Sequence, residues 1–415
     1  MRPGLGHRPS AADRGETATV FSGEPLDRRS TLPLHRRLAT TEGTVNGLPV
    51  RRYPHFNSHD ESAARRLATY ASFAAMSGKG IRQLATTDVI LAYCSPATAA
   101  AAALAARKAY GVPYVKMIQD VWADSIFAAG FLDGGWSHRT AEAAASRYMT
   151  CCYRNASAVT ALSPGMRDLL VSRGTEPAST EVVYNWTNEH LLPEPVGIAP
   201  RRPGEPLHLV YAGNIGPAQN LENVLHSLTM IDRGTVRLSI FGSGTRAEAI
   251  SQRAHDLGLS NVDYEGWVTR EELVRALGTA HMSLVSLADE PVFQITIPSK
   301  TQFLLSAGIP VLAVAPGEVG ALVESAGAGL AAPPGDPAAL ARALTKAAAM
   351  SDQDLQAMAT RAASFYRSQM SESINGDRLF EVLSHAALDR RPGPAPGTAD
   401  AGRAEGDRCQ LHRRN

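Results

Sequence analysis

Apolar runs of strand length alternate with helical segments through most of this chain, and nothing else in the sequence constrains its fold as much. Strand, helix and strand in succession pack as a parallel sheet wound with helices. In the first half, TATVFS (17–22), DVILAYC (88–94), PYVKMIQ (113–119) and SAVTALS (157–163) read as strands. SPATAAAAALAARKAYG reads as a helix, with Ser95 as N-cap and Gly111 past its end. The alternation stops at EHLLPEPVGIAPRRPGEP (189–206), whose prolines and missing apolar period mark an interdomain linker. It restarts with LHLVYAG, VRLSIFG, NVDYEG, MSLVSL and PVLAV, each followed by a helical segment. Two Rossmann-like α/β domains are therefore expected, residues 1–188 and 207–388, the second closed by helices over 352–388. Residues 389–415, rich in Pro, Gly and charge, are expected to form a disordered tail.

Length and charge narrow the function. The 415 residues leave room for two domains, and a net charge of +1 supplies no bulk field for nucleic acid, which is excluded as a partner. No apolar run reaches the roughly 18–20 residues that cross a bilayer. The opening MRPGLGHRPS lacks the apolar core of a secretory signal, so a cytosolic protein is expected. Cys94, Cys151, Cys152 and Cys409 lack the spacing of a zinc site and read as reduced, structural thiols.

In sheets of this kind, ligands bind beyond the C-terminal ends of the strands. Loops there enter helix N-termini, where free N–H groups and the helix dipole favour phosphate. The second half offers four such loops. In YAGNIGPAQNLENVLHSL the strand ends at Gly213, Gly216 lets backbone approach a ligand, and Asn214 and Gln219 sit at the mouth. Leu221, Val224, Leu225 and Leu228 then fall on one helical face. LSIFGSGTRAEAI contributes Gly242 and Gly244. In VDYEGWVTREEL, Thr269 and Glu272 form a capping box. Trp267 and Val268 just before it offer backbone to a flat base. IPSKTQFLLSAGIPVLAV starts a helix near Ser299, with Gln302 spaced to close a capping box on it. Lys300 lies in the first turn, where the dipole disfavours a cation by about 0.3–1 kcal/mol and a bound anion reverses that penalty.

These loops, in this order, resemble retaining glycosyltransferases of family 4, which have the GT-B architecture of two Rossmann-like domains facing a cleft. The resemblance runs from about residue 15 to 385 and is carried by VVYNWTN (182–188), YAGNIGPAQNLENVL, FGSG, EGWVTREEL, IPSKTQ, AGIPVLAV and AGLAAPPGDPAALARAL. With QDVWADS (119–125), it narrows to the subgroup that adds N-acetylated amino sugars in bacterial surface polysaccharides, fucosamine transferases among them. The resemblance implies a nucleotide-diphosphate sugar, UDP-linked in the first instance, held by the C-terminal domain. It implies a sugar, lipid-linked or small-molecule acceptor in the N-terminal domain, retained anomeric configuration, no further cofactor and no essential metal.

Three departures stand out. Asn214 and Gln219 occupy the region where many relatives carry Arg and Lys. The paired glutamates of many relatives fall at Ile295 and Phe303, neither acidic. The TATVFS strand corresponds to the second strand of the family, with no first strand or glycine-rich loop before it, so either the start is set too late or the N-terminal lobe lacks its first strand.

The departing diphosphate gathers negative charge, for which Lys300 and the N–H groups after Gly213 are the expected partners. Asp120, at the end of the PYVKMIQD run, is the expected acidic catalytic group, with Glu318 after PVLAV the second choice. Each could equally serve as a local cap. Residues 61–86 read as one long helix with Arg65, Arg66, Lys79 and Arg82 beside Leu67, Tyr70, Phe73 and Met76, suited either to an inner-membrane surface or to packing on its own sheet. Two other readings remain: a nucleotide-sugar 2-epimerase-like enzyme, and a truncated transferase that only binds nucleotide sugar.

Overall fold

The computed structural model describes residues 17–23, 39–56, 63–121, 136–189, 194–202 and 204–391. By contacts the chain divides into two compact units, residues 1–157 with 383–415 and residues 158–382. Parallel strand pairs wound with helices recur in both, as the alternation predicts, with an antiparallel hairpin in the first.

In the first unit, β1 (Val20–Gly23), β2 (Thr41–Val45) and β3 (Leu48–Tyr53) form one sheet in the order β1-β3-β2. The β2–β3 hairpin turns at Asn46 and Gly47, with φ of 49° and 81°, the conformation that an Asn-Gly pair favours. That signal was readable but is absent from the expected elements. Next come α1 (Ala63–Ser77), a 3-10 turn at Gly78–Gly80 and the one-turn α2 (Ile81–Leu84), so the expected single helix over 61–86 is broken. Glycine is required in that turn, since a side chain at Gly80 would overlap the Tyr53 hydroxyl. Phe73 stacks edge-on against His55 at 5.6 Å, so part of the apolar face of α1 is spent inside its own unit.

β4 (Ile90–Cys94) leads through a 3-10 turn into α3 (Ala101–Tyr110), which ends at Gly111 with φ of 70°. The N-cap position before that turn is Pro96 rather than Ser95, and no side chain caps it. β5 (Tyr114–Ile118) pairs parallel with β4 and is buried throughout. After α4 (Trp136–Asn155), the unit is closed by residues 389–391, which are ordered rather than part of a loose tail. Buried Arg107 donates to the Asp389 carboxylate and carbonyl, both at 2.6 Å. Ser157 Oγ donates to the same carboxylate at 2.8 Å, and Arg390 reaches the carbonyls of Ala85 and Thr87. Residues 392–415 lie outside the described residues. Cys94, Cys151 and Cys152 are free thiols.

The second unit opens with β6 (Ala158–Ala161), α5 (Pro164–Ser172) and β7 (Thr180–Val182), β7 parallel to β6. Its main sheet comprises β8 (Leu207–Ala212), β9 (Val236–Phe241), β10 (Val262–Gly266), β11 (Met282–Ser286), β12 (Val311–Val314) and β13 (Gly329–Ala332). The order is β10-β9-β8-β11-β12-β13, with every pair parallel. The connecting helices are α6 (Leu221–Leu228), α7 (Ala247–Asp256), α8 (Arg270–Leu277), α9 (Ser299–Ser306), α10 (Glu318–Ser325) and α11 (Pro337–Ala349). The predicted face of α6 is buried at Leu221, Val224, Leu225 and Leu228. α12 (Asp352–Phe365) and α13 (Glu372–Ala387) complete the chain of helices.

The 189–206 stretch, expected as an interdomain linker, is held within this unit over its described residues. Gly197 N–H donates to Ala307 O at 3.0 Å. Arg201 donates to Asp352 through its backbone at 2.9 Å and to Ala348 O through its guanidinium at 2.6 Å. The latter satisfies a carbonyl in the last turn of α11. Ile198 joins the hydrophobic core, and proline content alone did not reveal that anchor. The preceding YNWTN segment is also fixed: Tyr184 N–H donates to buried Asn375, and Thr187 N–H to the Tyr366 hydroxyl.

Candidate functional site

Strand order locates the site. β9 and β10 step away from β8 on one side while β11 to β13 step away on the other, so the topology reverses between β8 and β11. In open parallel sheets, ligands bind in the crevice at such a reversal, beyond the strands' C-terminal ends. The β8 loop begins at Gly213, and α9 begins with Ser299 and Lys300.

Main chain builds the floor of this region. Gly213 N–H donates to Phe241 O at 3.0 Å, Ile215 N–H to Ser243 O at 2.9 Å, and Arg246 N–H to Ile215 O at 2.9 Å. Gly242 N–H donates to Gly266 O at 2.7 Å, adding the β10 loop. Gly242 has φ of +133°, and a Cβ there would overlap the Gly213 carbonyl. A Cβ on Gly244 would likewise overlap the backbone of Ile215. The weak Gly-x-Gly signal in FGSG therefore has a direct cause: the two loops run against each other backbone to backbone.

Lys300 supplies the charge. Its Nζ lies 4.2 Å from the centroid of the Tyr211 ring, and a Cβ on Gly213 would stand 3.0 Å from it. That nitrogen is buried and has no hydrogen-bond partner among the described residues. Burial lowers its pKa to about 8. The ring face compensates part of the lost hydration, and an anion would compensate much more.

Asn214 and Gln219 bond to each other across the loop at 3.2 Å, and the Gln219 amide oxygen also accepts Gly216 N–H at 3.1 Å. Ser286 at the end of β11 donates to Gln219 O at 2.6 Å, tying the loop across the reversal point. The expected Ser299–Gln302 capping box does not form. Pro298 takes the N-cap position, Ser299 is the first helical residue, and the buried Gln302 amide, with its nitrogen oriented to satisfy both ends, donates instead to Pro298 O at 2.8 Å and Ser299 O at 3.1 Å. The Thr269–Glu272 box does form, with Thr269 N–H donating to the carboxylate at 2.8 Å. Trp267 is 73% exposed, Val268 is half-buried, and Arg270 stands over the Phe303 ring at 5.6 Å.

Glu318 opens α10 and accepts the backbone N–H of Gly165 in the first turn of α5, while its second oxygen is buried without a partner. Asp120 is exposed just beyond β5 in the other unit. Most of QDVWADS, residues 122–125, lies outside the described residues. Tyr211 and the Ser163–Gly165 turn escape a reading of the sequence. Tyr211 reads as strand core. Ser163-Pro164 carries a legible helix-start signature, and Ser163 Oγ does accept Met166 N–H at 3.1 Å.

Residues 10–186 match a glycosyl transferase 4-like domain, and residues 206–349 match the glycosyl transferases group 1 family. A probable glycosyltransferase, WbjE, of Pseudomonas aeruginosa is 25% identical over 300 residues, covering 70% of this chain and 73% of that protein. WcaI of Escherichia coli strain K12, named as a putative colanic acid biosynthesis glycosyl transferase, is 23% identical over 242 residues, 56% of this chain and 58% of that one. Among solved structures, Anabaena HepE in complex with UDP-glucose superposes with a TM-score of 0.58 at 17% identity, covering 81% of this chain and 86% of that one. The likeness establishes the two-domain GT-B fold.

Proposed function

We propose that this chain, a glycosyltransferase of the group 1 and 4-like type with the GT-B fold, moves a sugar from a nucleotide-diphosphate donor bound by its 158–382 unit to a hydroxyl acceptor. The observation that carries the reading is the buried, unpartnered ammonium of Lys300 beside the Gly213 loop at the sheet's reversal point. A cation left without a counter-ion in such a place is suited to an anionic ligand. The first turn of α9 and the loop backbone supply further N–H groups toward one.

As the sugar–phosphate bond breaks, negative charge builds on the leaving diphosphate, and preorganised donors there lower the barrier. Losing one such donor costs about 3–4 kcal/mol in comparable sites. Lys300 carries more of this burden because Asn214 and Gln219 are neutral. Asp120, in the other unit, is the acidic group assigned to the acceptor hydroxyl. Retained configuration, a UDP-linked N-acetylated amino sugar and a role in surface-polysaccharide assembly complete the reading, the last supported by the name of the E. coli relative.

Titration calorimetry with UDP tests it. The wild-type protein binds UDP, and Lys300→Ala weakens binding at least tenfold while the melting temperature holds. Equal UDP affinity in the two proteins removes Lys300 from the site.

A further inference from the structure

A second charged group at these strand ends has a buried atom with no hydrogen-bond partner among the described residues: Glu318, through Oε2. Three segments converge on its carboxylate. The start of α5 donates the Gly165 N–H to Oε1. The turn Pro291–Ile295 brings in Ile295, whose carbonyl accepts Ser163 Oγ at 2.7 Å. The start of α10 carries Glu318 itself, directly after the β12 loop. A side chain at residue 165 would have to displace its neighbours: a Cβ there would stand 2.7 Å from Glu318 Oε1 and 2.9 Å from Ile295 Cγ2. Gly165 thus lets its backbone reach the carboxylate, and the bond it makes fixes one oxygen and leaves the other buried and, among the described residues, without a donor.

A carboxylate oxygen only accepts hydrogen bonds, so a donor must complete Oε2. Phosphate is repelled there by like charge. In a nucleotide sugar the groups that can donate are hydroxyls and amide N–H groups. We propose that Glu318 Oε2 accepts a hydroxyl or acylamino N–H of the donor's sugar ring, and that Gly165 is the positioning residue that aims it. This rests on the proposed donor site and divides that site: Lys300 takes the diphosphate common to all nucleotide donors, and Glu318 takes the sugar that is transferred.

The test is calorimetric titration of UDP and of UDP-N-acetylglucosamine into wild type, Glu318→Gln, Gly165→Ala and Lys300→Ala. Glutamine keeps the shape and the acceptor for Gly165 N–H, so Glu318→Gln should melt with wild type. Expected is a fivefold or greater loss of affinity for the sugar nucleotide in Glu318→Gln with UDP unchanged within twofold, the same selective pattern in Gly165→Ala, and loss of both ligands in Lys300→Ala. Equal losses for both ligands in Glu318→Gln would mean a ribose or phosphate contact and overturn the proposal, as would no loss for either. If Lys300→Ala weakens UDP while Glu318→Gln changes nothing, the donor site stands and this inference falls. If wild type binds no UDP, both fall.

Discussion

The Lys300 ammonium rests on the face of the Tyr211 ring, 4.2 Å from its centroid, with no hydrogen bond from the described residues to satisfy it. Because burial lowers its pKa from 10.5 to about 8, the unfolded chain binds more protons than the folded one between those values. Stability contributed by this group therefore rises with pH across that window and is absent below it. The melting temperature of wild type relative to Lys300→Met should climb from pH 7.5 to 10. UDP affinity should fall over the same range as the ammonium is lost. Parallel curves for the two proteins would place the side chain in water.

Gly242→Ala meets two obstacles at once, a φ of +133° and a collision with the Gly213 carbonyl. The substitution should destabilise by roughly 2 kcal/mol or more. Thermal melting reads this directly. An unchanged melting temperature contradicts the backbone contact between the two loops.

Truncation isolates the contribution of residues 389–391. A chain ending at Arg391 should melt like the full one. A chain ending at Leu388 loses the Asp389 carboxylate and strands Arg107, whose side chain is 3% exposed. It should melt lower, since the buried guanidinium loses its carboxylate, though by less than the roughly 3–5 kcal/mol of a fully buried pair because the Asp389 side chain is 42% exposed. Burial alone would raise the Asp389 pKa. The Ser157 and Arg107 bonds outweigh it and hold the value below 3.8, so this contribution persists above that pH and fades as acid titrates the group.

His281 gives an acid-side prediction in the second unit. Its Nδ1 accepts the His208 N–H at 2.8 Å, which requires the neutral ring. Burial lowers its pKa below 6.5, Arg201 and His208 push the same way, and Glu205 and Asp352 push back. Stability is then complete above that value and declines as pH falls below it. Replacing His281 with Gln, which keeps an acceptor, should flatten the decline between pH 6.5 and 5. An unchanged slope assigns the acid sensitivity elsewhere.

In the first unit, Asp120→Asn should abolish transfer with UDP affinity unchanged within twofold. Loss of UDP affinity in that variant would contradict its assignment to the acceptor.

The sheet of the second unit was legible because parallel strands buried on both faces read as mostly apolar runs without strict alternation, as in LHLVYA and MSLVS. The α6 face and the Thr269–Glu272 box followed from spacing alone. What escaped depends on distant parts of the chain. Gln302 has the right offset to close a box on Ser299 but turns to carbonyls because proline holds the preceding position. Ile198 and Arg201 sit in a proline-rich stretch that looks like a tether until its partners on α11 and α12 are placed. Gly165 shows no reason to be glycine until Ile295 and Glu318, more than a hundred residues later, are brought beside it. In the hairpin at 41–53, by contrast, an Asn-Gly turn was available to be read.

Because peptide groups, joined edge to edge from Gly213 through Phe241 to Gly266, make the platform beside Lys300, its contour does not depend on which side chain stands at exposed position 214. Substitutions there can alter polarity and reach while leaving the surface relief in place. New donor preferences could be engineered at that position without recasting the scaffold.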